Sequence, residues 1–265
     1  EEVKSLIENG ISVNAKDEDG ETALLSAVDK DSVEVVDYLL AKGARVNHRD
    51  RDGLTALLCT KPGSKSAEIL IDHGANINKP DKDGMTPLKY AAYDGDLEGA
   101  KLLINRGARI NQRKGIEIFS IFIYLFPGYG QNINKAIEIL DKSFSDNKNA
   151  PALQGRWTAL IWAIRRNHTD VAKLLIENGA NIHIKYGFYR WTALYWAARQ
   201  GQKDVVELLL KHGADPNAAL RVDKFTPLFE AARRGYTEIV KLLIEYGTDV
   251  NAETKRRETN LIAAI

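Results

Sequence analysis

The sequence predicts an all-α fold, a solenoid of helix-turn-helix units stacked side by side with β-turn or hairpin fingers between them. Three markers recurring in phase predict it. A threonine returns as Thr22, Thr55, Thr86, Thr158, Thr192, Thr226 and Thr259, at spacings of 33, 31, 72, 34, 34 and 33 residues. A glycine keeps the same step as Gly10, Gly43, Gly74, Gly107, Gly179, Gly213 and Gly247. Four residues after those glycines stand Asn14, Asn47, Asn78, Asn111, Asn217 and Asn251, with His183 in that place once.

Each unit has a physical logic. Asp-x-Asp-Gly runs ending in Gly20, Gly53 and Gly84 supply turn residues, because glycine takes positive φ without a steric cost. The threonine then offers a cap to the first helix, and Pro87 or Pro227 sits where no backbone donor is needed. Small pairs, Ala91-Ala92, Ala197-Ala198 and Ala231-Ala232, let neighbouring helices approach. The second helix is amphipathic, with Val33, Val36, Leu39 and Leu40 on one face in one unit. The recurrent glycine ends it in a left-handed cap. One such helix pair cannot bury its own apolar face, so the units must stack.

In chain order, residues 1–16 read as a half repeat carrying only a second helix. Regular repeats follow at 17–49, 50–80 and 81–115, and again at 151–185, 186–219 and 220–252. Residues 253–265 read as the start of a further repeat, and neither end carries a clear polar cap, so a fragment of a longer array is expected. The doubled interval places a degenerate repeat at 116–150, with helices expected over 116–126 and 132–144 and a long finger over 145–155. A strand remains open for the Ile/Phe/Tyr run there.

Composition excludes little but bounds much. Of 265 residues 44 % are hydrophobic and 28 % charged, ordinary for a soluble globular chain. The net charge is +1, yet it is unevenly spread. Residues 1–115 carry 17 Lys+Arg against 20 Asp+Glu, and residues 151–265 carry 17 against 12. The C-terminal half is therefore suited to an acidic or phosphate-bearing ligand. Cys59 is the sole cysteine, so an intrachain disulfide is excluded and a reducing compartment is expected. The longest apolar run, 116–126, falls short of the roughly 20 residues a membrane span requires, so no membrane insertion is expected.

The segments Asp223-Lys-Phe-Thr-Pro-Leu-Phe-Glu-Ala-Ala-Arg-Arg-Gly235 and Thr237-Glu-Ile-Val-Lys-Leu-Leu-Ile-Glu-Tyr-Gly247 resemble the ankyrin repeat family nearly position for position. The histidine usual after Thr-Pro-Leu in that family is replaced by Leu25, Leu58, Lys89, Ile161, Tyr195 and Phe229. The resemblance implies a binding scaffold with no cofactor, whose finger tips and first helices line a concave groove. It also implies a cytoplasmic protein, or a secreted effector or viral protein acting in a host cell, with a monomer favoured.

The residues point to no catalytic site. Glycines sit at turns and caps, not in a phosphate loop. The five histidines have no metal-ligand spacing. Cys59 has no identifiable activating base.

A binding face is more legible. Positions four, seven and eight after the opening threonine share one helix face. In the C-terminal repeats they read Trp162, Arg165, Arg166, then Trp196, Arg199, Gln200, then Glu230, Arg233, Arg234. Aromatics stand just before the threonines (Trp157, Trp191, Phe225), and the fingers add Phe188, Tyr189, Arg190 and Lys224. Trp162 and Trp196 either join this face or pack between helices, and exposed aromatics alternating with arginines are the composition of interface hot spots. The expected partner is a protein with an acidic segment. The alternative is a nucleotide, oligoadenylate or single-stranded nucleic acid. Within the family an oligoadenylate-binding member uses an aromatic in the slot of Trp157, Trp191 and Phe225 and a glutamate in that of Glu230, and aromatic faces stack bases.

Overall fold

A computed structural model describes residues 2–113, 157–187 and 189–255. The expected helices and finger of residues 116–155 and the further repeat after 255 lie outside the described residues. The chain divides into two compact units, residues 1–112 and 113–265, each taken here by itself.

The first unit opens with α1 (Glu2–Glu8), the lone second helix expected of a half repeat. Three pairs follow: α2 (Ala23–Asp29) with α3 (Val33–Ala41), α4 (Ala56–Cys59) with α5 (Lys65–Asp72), and α6 (Pro87–Asp94) with α7 (Leu97–Asn105). First helices stack on first helices, α2 on α4 on α6, and α3 packs on α5. Leu24, Leu39, Leu57, Leu70, Leu88 and Leu103 fill the interior.

The second unit repeats the plan with α8 (Ala159–Arg165) and α9 (Thr169–Glu177), α10 (Ala193–Arg199) and α11 (Lys203–Lys211), then α12 (Pro227–Arg233) and α13 (Thr237–Glu245). The row α8–α10–α12 lies against the row α9–α11–α13. The small residues sit where the rows meet: Ala163, Ala197 and Ala231 have no exposed surface.

The sequence markers each have a structural counterpart. Gly43 has φ +86° and follows α3. Its amide donates to the Leu40 carbonyl and that of Ala44 to Leu39, the paired bonds of a Schellman cap. The periodic asparagines bolt repeats together. Asn14 Nδ2 donates to the Gly43 carbonyl while its Oδ1 accepts from the Arg45 amide, at 3.2 and 2.8 Å. Asn47 spans to Gly74 and Asn76, Asn78 to Gly107 and Arg109, and Asn217 to Gly247 and Asp249. His183 makes no such link with its side chain, so that rung is missing between two repeats of the second unit.

Threonine capping is only partly as expected. Thr86, Thr192 and Thr226 accept from the amide three residues on. Thr22, Thr55 and Thr158 make no cap bond. At Thr158 the hydroxyl is instead paired with the buried Tyr186 hydroxyl at 2.8 Å. Hairpin character in the fingers is confined, among the described residues, to single bridges, Lys16 with Thr22 and Tyr186 with Trp191.

Candidate ligand-binding groove

The second unit carries a groove of about 820 Å³ at the C-terminal ends of α8 and α10. Four arginines line it, Arg165, Arg166, Arg199 and Arg234, with Trp162, Trp196, His168 and Tyr236, and no carboxylate does. Arg199 also lines a neighbouring pocket of about 390 Å³, whose aromatic wall is Tyr189, Trp191, Tyr195, Phe225 and Phe229, with Glu230 and Arg233.

The tryptophans correct an expectation. Trp157 and Trp191 were expected to be exposed, with packing between helices left open for Trp162 and Trp196, but Trp157, Trp162, Trp191 and Trp196 are only 7, 1, 7 and 6 % exposed. The finger aromatics Tyr186 and Tyr189 are buried with them. The reason is that the rings of each first helix and of the finger leading into it pack on one another. Trp157 meets Trp162 edge-on at 4.8 Å, Tyr189 stacks on Trp191 at 5.2 Å, and Trp191 meets Trp196 at 5.7 Å. Phe225 is half-buried and stacks on Phe229 at 4.6 Å. The faces that would receive a nucleobase are already covered.

Arg165 is held inside this seam. Its guanidinium carbon is 4.2 Å from the ring centre of Trp157 and 4.2 Å from that of Trp196. Stacking of this kind favours arginine, whose planar cation is weakly hydrated. Nη1 is fully buried and donates to no acceptor, and no carboxylate among the described residues pairs with the group. Burial, helped by the neighbouring charge of Arg199, pulls its pKa down to about 10. Gln200 and Gln202, one repeat on, donate to the carbonyls of Arg165 and Ile164 at 3.2 and 2.7 Å. The backbone end that carries Arg165 is therefore fixed.

Glu230 organises the far side. It is 1 % exposed and accepts from Arg233 Nη2 at 3.1 Å and Arg234 Nε at 3.0 Å. Burial would raise its pKa, but the Arg234 hydrogen bond and the charges of Arg233 and Arg199 outweigh that and leave it lowered. Tyr195, buried beside Arg199 and Glu230, has its pKa raised mainly by burial. It occupies the slot where the sequence lacks the family histidine. The pocket thus depends on a residue that the helix-face count leaves out. Tyr195 and Arg199 stand one helical turn apart, the spacing that could have signalled it.

Of the other expected residues, Arg190 and Lys224 lie outside both pockets, exposed at finger turns. Both have positive φ, +61° and +55°, at the place held by Gly20, Gly53 and Gly84 in the first unit. Phe188 lies outside the described residues. Trp157 lines neither pocket and acts only by backing Arg165.

In the first unit Cys59 borders a cleft with Tyr90 and Pro62. Burial, followed by the charges of Asp50, Asp29 and Glu21, pushes its thiol up to about 11, which leaves it protonated at neutral pH. Among the described residues no group of three or more His, Cys, Asp or Glu could hold a metal ion. No helix among them is long and apolar enough to cross a membrane.

Comparison with known proteins places this geometry in context. The family model described as ankyrin repeats in three copies matches residues 1–50, 43–114, 128–220 and 183–254. No curated relative matches the sequence significantly. Among solved structures, the crystal structure of the human ASB11 ankyrin repeat domain is similar with a TM-score of 0.66 at 22 % identity, over 92 % of each chain. At that identity the likeness concerns the fold.

Proposed function

Because the chain belongs to the ankyrin repeat family, whose members are typically binding scaffolds without catalytic activity, we propose that its second unit recognises an acidic segment of a protein partner. The observation that carries this reading is the carboxylate-free groove around Arg165. A stacked, partly desolvated guanidinium beside Arg166 and Arg199 attracts an anion with less screening than a fully exposed one. The adjoining aromatic pocket, joined through Arg199, offers an apolar side chain of the same segment a place to anchor.

The finger tips support it independently. A non-glycine residue in the left-handed region costs on the order of 1 kcal/mol. Arg190 and Lys224 nevertheless stand there, exposed and unpaired among the described residues, so basic side chains flank the pockets where glycine would fit with less strain. The nucleotide alternative loses its main support, since base stacking needs an open ring and the tryptophans are buried. Action as a monomer in the cytoplasm, with the free thiol Cys59 kept reduced, completes the proposal.

Tryptophan fluorescence tests it without a label. The full chain is titrated at physiological salt with a degenerate Asp/Glu-rich peptide pool, a matched Asn/Gln pool and oligoadenylate. Saturable change with the acidic pool, lost in Arg166→Gln/Arg199→Gln, is the expected result. Equal response to the neutral pool, or response to oligoadenylate alone, refutes it.

A further inference from the structure

We infer that the groove around Arg165 is a phosphate-monoester subsite, taking a phosphorylated side chain of the partner protein in preference to Asp or Glu. The inference rests on the proposal that this groove binds an acidic protein segment, and it specifies the chemistry of that segment.

Charge and geometry carry it. Three arginines, Arg165, Arg166 and Arg199, line one groove with no lining carboxylate. A fourth, Arg234, enters with its Nε already held by Glu230 at 3.0 Å and so is fixed in place. Arg165 is the unusual member. It is gripped between two tryptophan rings at 4.2 Å, with Nη1 buried and without an acceptor. Because Nη1 is buried without an acceptor, the charge of Arg165 is not offset by a partner among the described residues.

A carboxylate brings one charge and two oxygens. A phosphate monoester brings about 1.5 to 2 negative charges at pH 7 and three acceptor oxygens. Several guanidinium forks around one site match the larger anion, because each presents parallel donors that pair bidentately with phosphate oxygens. The near-zero exposure of Nη1 means that Arg165 acts chiefly through its field. Arg166, which is exposed, and Arg199, which is half-buried, supply contacts from the rim.

Isothermal titration calorimetry on the full chain at physiological salt tests this. The probes are a degenerate phosphoserine-centred peptide pool, the same pool centred on glutamate, inorganic phosphate and oligoadenylate. The expected result is at least tenfold tighter binding of the phosphoserine pool than of the glutamate pool. That preference should vanish in Arg165→Met. The exposed change Arg166→Gln should weaken it severalfold, which serves as a second variant should the buried one disturb the fold. Equal affinity for the two peptide pools overturns the phosphate preference while leaving the acidic-segment proposal standing. Binding of neither pool overturns both. Binding of inorganic phosphate or oligoadenylate at least as tight as that of the phosphoserine pool overturns the assignment to a phosphorylated side chain.

Discussion

The guanidinium of Arg165 lies 4.2 Å from the ring of Trp196, a residue of the following repeat. The end of one first helix is therefore completed by the middle of the next, and a half-buried charge is kept stacked between two rings. Two consequences oppose each other in energy: stacking on aromatic rings stabilises the cation, and desolvation destabilises it.

Arg165→Met should show that balance. Each cation–π contact is worth about 0.5–2 kcal/mol, while removing an unpaired buried charge relieves a cost of similar size. Chemical denaturation should therefore find the variant within about 1 kcal/mol of the parent, although its preference for a phosphorylated ligand is lost. A loss above about 3 kcal/mol would make Arg165 a structural residue.

Glu230→Gln should weaken the second unit by about 1 to 2 kcal/mol at pH 7, a figure kept low because Arg233 and Arg234 both open onto water. The sign with pH follows from the lowered pKa of Glu230. A carboxylate whose pKa falls on folding stabilises above its unfolded value, near 4.3, and that stabilisation drains away as pH falls through the folded value. Urea titrations at pH 7 and pH 3 should therefore show the gap between parent and variant shrinking in acid. A gap that stays constant or widens would rule out the charge as its cause.

Arg190→Gly and Lys224→Gly should each raise stability by about 0.5–1 kcal/mol, since glycine takes positive φ without strain. The same changes should weaken binding of an acidic peptide and reduce its salt sensitivity. Thermal melts and titrations at two ionic strengths read both effects. Destabilisation by either substitution would contradict the strain assigned to these turns.

Trp191→Ala and Arg199→Ala should separate, although both flank the same pocket. Trp191 is buried against Tyr189 and Trp196, so truncating it should cost about 3 kcal/mol. Arg199 reaches the rim, and its loss should change binding while moving the melt little. Circular dichroism melts of the two single variants decide; equal melting of Trp191→Ala and the parent would mean that the ring is not part of the core.

His183→Asn should restore the missing rung. An asparagine there can donate to the Gly213 carbonyl and accept from the backbone beyond it, as Asn217 does one repeat on at 3.3 and 2.8 Å. A gain of about 1 kcal/mol is expected, read as a higher denaturation midpoint. No gain would show that the local finger geometry excludes the rung.

By itself the sequence determined the architecture. Thr86 and Pro87 open α6, Gly43 closes α3, and Ala197 and Ala231 let first helices stack, because capping, positive φ and helical periodicity are local properties read within a single repeat. The arginines of the face were legible in the same way, from one turn of helix. What only the tertiary structure decided was burial. Trp191 and Trp196 look like open anchors on the helix face but are closed off by Tyr189 of the finger and by each other, and Arg165 stacks on Trp196 of the next repeat. Tyr195, which the helix-face count leaves out, is buried in the pocket that Arg199 and Glu230 also line. Solvent exposure and charge compensation are set by side chains arriving from the adjacent repeat and finger, and no pattern inside one repeat fixes how those side chains meet.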